Sequence, residues 1–128
     1  MKFSAAMLLA LFSLTVLFSC KKDNDKKKSI EGLWEGTYVN DASGNTFFYS
    51  FNIKPGGVIE EIDADGDKIG QGTWELENNI FSATYSWPNG LEFSVLASYY
   101  PDQTKLLGNW GYDDSVTDGG TWEMTPAQ

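Results

Sequence analysis

Histidine and arginine are both missing from the 128 residues, and the one cysteine, Cys20, precedes the part of the chain able to fold. Without histidine there is no Ser-His-Asp or Cys-His relay, no imidazole metal site and no histidine-ligated haem. With no cysteine after position 20, no disulfide can brace the domain that follows, so its stability must come from core burial, for which the 15% aromatic content is suited. Lacking arginine, and thin in lysine after residue 28, the chain has no clustered cations to displace counterions from a phosphate backbone, so nucleic acid is not an expected partner. Carboxylates are the remaining catalytic groups. A glycosidase needs two of them roughly 5 to 10 Å apart in a cleft, whereas the acidic residues here fall mostly on turns and outward faces. The chain therefore reads as non-enzymatic, with no cofactor.

Charge is divided unevenly. The formal net of −9 hides a basic segment at 21–28, with five lysines against Asp23 and Asp25. From Ser29 onward only Lys54, Lys68 and Lys105 stand against sixteen acidic residues, a net of −13. Such a field keeps copies apart on a crowded surface.

Met1 and Lys2 make a minimal positive start, and the apolar run over residues 3–18 is long enough for a secretion signal but short for a membrane span. The run ends in Leu17-Phe18-Ser19-Cys20, which resembles the lipobox of bacterial lipoproteins. That resemblance implies removal of residues 1–19, lipid on the Cys20 thiol, and a membrane as partner through the lipid anchor. Residues 20–29 then read as a charged tether without an apolar face, reaching at most about 30 Å at ~3.3 Å per residue. Its Lys-Lys-Asp-Asn-Asp start is similar to signals that send lipoproteins to the outer leaflet, which implies a cell-envelope location, at the outer membrane and exposed at the surface.

Residues 30–128 form one domain by length. Short runs of alternating apolar and polar residues are separated by turn residues every eight to twelve positions, and no helical period appears. The pattern predicts strands over about 31–39, 46–54, 57–64, 68–76, 79–87, 91–100, 104–112 and 119–125. Hairpin-length gaps such as Pro55-Gly56-Gly57, Asp65-Gly66 and Asn78-Asn79 leave no room for crossovers. The expected fold is all-β: an eight-stranded antiparallel up-and-down meander closed into a barrel, which removes both exposed edges. An open meander or a β-sandwich is the alternative.

Alternation assigns faces. Phe47, Tyr49, Phe51 and Ile53 point inward from the second strand, and Val58 and Ile62 from the third, where Glu60 falls on the same side as a buried carboxylate or the mark of a bulge. Trp34 and Tyr38, Trp74 and Leu76, Phe81 and Tyr85, Phe93, Val95 and Tyr99, Leu106 and Trp110, and Trp122 and Met124 complete the inward set.

Four tryptophans share a Gly-x-Trp pattern: Gly32-Leu33-Trp34, Gly72-Thr73-Trp74, Gly108-Asn109-Trp110 and Gly120-Thr121-Trp122. Gly and Trp two apart share a strand face, so the glycine leaves room beside a large ring. The first copy resembles the Gly-x-Trp that opens the barrel in lipocalins and avidins, and the chain is most similar to compact lipocalin-like domains on bacterial lipoproteins. The resemblance implies an eight-stranded barrel with a small, mostly apolar ligand at its open end. Only Gly32 and Trp34 match the family motif, and their family role is mainly structural.

The inward aromatics either fill the core or wall a pocket in which tyrosines supply polar handles for a small apolar or sugar-like ligand. On that reading the candidate site residues are Trp34, Tyr38, Tyr49, Glu60, Trp74, Tyr85, Tyr99, Trp110 and Trp122. The alternative function is docking of an envelope protein on an outer surface that includes Phe48, Leu96 or Tyr100. Asp63, Asp65 and Asp67 resemble the opening of a calcium loop. The match stops at Lys68 and Trp74, which stand where an EF-hand has glycine and a bidentate glutamate.

Overall fold

The structure is a computed structural model and describes residues 29–128; the expected signal, Cys20 and nearly all of the tether lie outside the described residues. Eight strands follow one another: β1 (Gly32–Asn40), β2 (Asn45–Lys54), β3 (Val58–Ile62), β4 (Lys68–Glu77), β5 (Ile80–Ser86), β6 (Glu92–Tyr100), β7 (Lys105–Tyr112) and β8 (Gly120–Pro126). Each pairs antiparallel with the next, and β1 pairs with β8 from Trp34↔Pro126 to Tyr38↔Trp122, so the sheet closes into a barrel. The open meander and the sandwich are thereby set aside.

Local chemistry explains the hairpins. Asn78 and Asn79 both adopt positive φ, 54° and 64°, as a two-residue turn matched to strand twist requires. Pro55–Gly57 makes a short turn between β2 and β3 in which Gly56 and Gly57 both take positive φ, 82° and 80°. Inside, Phe51, Ile59, Phe81 and Leu106 are completely buried, with Ile53, Val95 and Met124 beside them.

The face assignment of the third strand is corrected. Pairing of Phe51 with Glu61 and of Ile53 with Ile59 puts Ile59 and Glu61 inside, and turns Val58, Glu60 and Ile62 outward. Val-Ile-Glu-Glu-Ile carries apolar residues on both faces, so alternation alone does not choose; registry with β2 does. A bulge does occur here. Glu61 pairs with Gly70 and Ile62 with Lys68, which leaves Ile69 unpaired in β4. Phe47 keeps its inward parity but lies at the barrel rim, 43% exposed and stacked on Tyr38.

The two barrel ends differ. At one, Ile30 is buried and its carbonyl accepts the Trp34 indole N–H at 2.8 Å, with Tyr99 edge-on to the Trp34 ring at 6.2 Å. The carboxy-terminal strand finishes at this end, where the Ala127 amide donates to the Leu33 carbonyl at 2.8 Å. The opposite end is bounded by the connections 41–44, 63–67, 87–91 and 113–119, and it is open.

In three of the four Gly-x-Trp copies the glycine is needed for a close approach of backbones rather than for room beside the ring. A Cβ on Gly72 would strike the Thr84 carbonyl, on Gly108 the Leu96 carbonyl, and on Gly120 the Val39 carbonyl, whereas a Cβ on Gly32 would meet nothing within 4 Å. Gly108→Ala should therefore cost about 1–3 kcal/mol or more through overpacking. Urea unfolding measures it, and a cost under about 0.5 kcal/mol, the range of ordinary surface changes, would mean that β6 and β7 can move apart freely.

Candidate functional site

At the open end a cavity of about 130 Å³ enters the barrel. Tyr38 and Asn40 of β1, Tyr49 of β2, Glu61 of β3 and Tyr85 of β5 line one side. Phe93 of β6, Trp110 and Tyr112 of β7, and Trp87 and Leu91 from the β5–β6 connection line the other. Adjacent rings meet at steep angles: 80° between Tyr38 and Trp110, 69° between Trp110 and Tyr112, and 55° between Trp87 and Phe93. These pairs form corners, while Tyr85 and Phe93 stack with their planes 29° apart.

Glu61 is the centre of this site. It is 6% exposed, and its Oε1 accepts the Trp87 indole N–H at 2.8 Å. Gly70, its partner on β4, makes this possible: a Cβ there would come within 3.1 Å of the Trp87 ring and 3.2 Å of the Tyr85 ring. The hydroxyls of Tyr49 and Tyr85 are 2.6 Å apart across the interior. Burial pushes the Glu61 carboxyl above its ordinary pKa, while hydrogen bonds from Trp87 and Tyr85 pull it back part of the way. Burial, with Glu61 nearby, also holds Tyr49 and Tyr85 well above 10 and raises Tyr38, so these phenols stay protonated, with those of Tyr49 and Tyr85 engaged within the site.

Glu60, the carboxylate expected to point inward, does the opposite. It lies outside with Lys54 at 3.2 Å and Lys68 at 3.9 Å. Two consecutive glutamates thus have opposite lives, one paired with lysines at the surface and one buried without a cation. A buried carboxylate lacking a counter-charge is costly, and such groups gather at functional sites.

The chain matches no protein-family model and no curated protein sequence.

Of the residues expected at a site, Tyr38, Tyr49, Tyr85 and Trp110 come together around the cavity. Trp34 and Tyr99 sit at the closed end, where the Tyr99 hydroxyl has no hydrogen-bond partner among the described residues. Trp74 stacks on Phe81 and donates to the Lys54 carbonyl at 2.8 Å, and Trp122 packs centrally against Tyr49, Phe51 and Phe81. Neither Trp74 nor Trp122 lines the cavity. Asp63 uses its Oδ1 to cap its own turn, accepting the amides of Asp65 and Asp67 at 2.9 Å each. Among the described residues no three acidic groups are placed to hold a metal ion together, and what the structure shows at Asp63, Asp65 and Asp67 is this turn.

Asn40, Glu61, Trp87, Leu91, Phe93 and Tyr112 are the lining residues that sequence reasoning did not select. Trp87 carried a signal. It is the tryptophan without a glycine two residues earlier, and its indole alone donates to a side chain; the other four donate to the main-chain carbonyls of Ile30, Lys54, Val39 and Asn109.

A carboxyl that holds its proton more tightly folded than unfolded weakens the fold as pH rises from the ordinary glutamate range through the raised folded value. Glu61→Gln, which keeps the neutral form, should match the unaltered protein at acid pH and gain on it steadily as pH increases. Thermal unfolding of both across that range checks the sign, and a variant that falls behind instead would show that the two donors outweigh desolvation.

Proposed function

We propose that the protein is a lipid-anchored lipoprotein of the cell envelope, carrying a lipocalin-like barrel that binds one small ligand at its open end without transforming it. The cavity with a buried carboxylate at its wall is the observation that supports this reading most. Size narrows the ligand. Pockets for drug-sized molecules run to about 300–1,000 Å³, while an engineered apolar cavity of about 150 Å³ holds a benzene. At about 130 Å³ the site accommodates a ligand of roughly one ring or one compact head group. Apolar body and polar handle are both provided for: Phe93 and Trp110 contact the first, Glu61 and Asn40 the second.

The lipocalin-like assignment rests on the closed eight-strand order and on Trp34 at the plugged end, and the anchor on the sequence that ends in Cys20. The second reading, protein docking on the outer wall, is favoured by the 41% exposure of Leu96 and Tyr100 on the outer face of β6. Phe48 is equally exposed but lies on β2, four strands away, so it belongs to a different wall.

Two measurements bear on this. Titration with a library of single-ring fragments, followed through the backbone amide and indole N–H resonances of the full chain, should give hits that move Trp87 and Trp110 together. Hits that perturb only β6, or none at all, would count against a mouth site. Replacing Cys20 by Ala should remove lipid mass and either release the protein from membranes or leave it with an uncleaved signal; normal lipid mass in that variant would overturn the anchor.

A further inference from the structure

Charge in the mouth cavity is uncompensated. Glu61 is the one formally charged residue in its lining. The three lysines of the domain are placed elsewhere: Lys54 and Lys68 serve Glu60 on the outer wall, and Lys105 begins β7 at the closed end. What surrounds the carboxylate is aromatic, with Tyr38, Trp87, Phe93, Trp110 and Tyr112 set at steep angles to one another. Trp110 is held firmly in this arrangement. Its N–H donates to the Val39 carbonyl at 3.0 Å, and Gly119 lies so close against its ring that a Cβ would collide with it.

Resting on the reading of this cavity as a ligand site, we propose that its ligand is a small organic cation of the alkylated ammonium class, with Glu61 as counter-charge and the rings as walls. Three properties of such a cation fit. Its positive charge completes the pair that the protein leaves open. Its methyl groups present diffuse charge to ring faces, the interaction that aromatic cages exploit, and it needs few hydrogen-bond partners. Its bulk suits about 130 Å³. A sugar is served less well, because its several hydroxyls would face mostly carbon; Asn40 and Glu61 are the lining residues with hydrogen-bonding groups other than phenols and indoles. The field of the domain, three lysines against sixteen acidic groups, attracts cations toward the mouth and repels anions.

Choline and its neutral isostere 3,3-dimethyl-1-butanol, titrated into the full chain in an uncharged detergent at low salt, separate charge from shape. Choline should shift the Trp87 and Trp110 indole resonances saturably, with the isostere at least tenfold weaker. Glu61→Gln should reduce choline affinity at least tenfold and leave the isostere unaffected. Glu60→Gln removes the same charge from the outer wall and should change either affinity less than twofold, which distinguishes the cavity carboxylate from the general acidic field. Should Glu61→Gln fail to fold, Trp110→Leu serves in its place and should weaken choline at least fivefold. Equal or tighter binding of the isostere would overturn the cation assignment while leaving a ligand site standing. Silence from both, together with silence from the fragment library, would remove the site itself.

Discussion

Closure of β8 on β1 is the constraint from which the rest follows. Once Tyr38 pairs with Trp122 and the strand order returns to its start, every strand has two neighbours and one inner face. Inside and outside cease to be local choices, because paired residues share a face around the whole ring. Glu61 is carried inward for that reason. It sits opposite Phe51, which is completely buried, and no local preference of glutamate could place it there. The same closure brings Tyr49 and Tyr85, from strands three apart in the order, within 2.6 Å of each other.

Tryptophan fixes the interior to its frame. Four indoles each donate to a main-chain carbonyl, so four large rings are tied to backbone positions instead of floating in a hydrophobic mixture. Buried N–H groups require such partners. The fifth, Trp87, follows the same requirement and finds a carboxylate. This change of acceptor occurs at the open end, in a connection rather than a strand, and Trp110 lines the same cavity while tied to a main-chain carbonyl.

Strand positions were legible because their ends are written in turn chemistry. Asn78-Asn79 and Pro55-Gly56-Gly57 bracket strands whose observed limits fall within about two residues of the alternation pattern. What alternation could not supply was the parity of β3, where Val58, Ile59 and Ile62 are spread over both faces and two glutamates are adjacent. Tyr38, Tyr49, Tyr85 and Trp110 were identifiable as inward residues, but whether such rings fill a barrel or leave space depends on how they tilt against one another, and sequence does not encode tilt one residue at a time. Phe47 shows the complementary limit. Its parity was readable, its height in the barrel was not, and at the rim an inward residue still meets water.

The barrel also has a polarity that comes from where its chain enters and leaves. Ser29 leads into the plugged end through Ile30, and Ala127 returns to the same end beside Leu33. Both ends of the described residues therefore lie on the side remote from the cavity. Any attachment made through either of them holds the molecule by its base, like a cup by its foot, with the rim turned toward whatever diffuses past. The four connections around that rim would take no part in such an attachment, so their sequences could vary without altering how the cup is held.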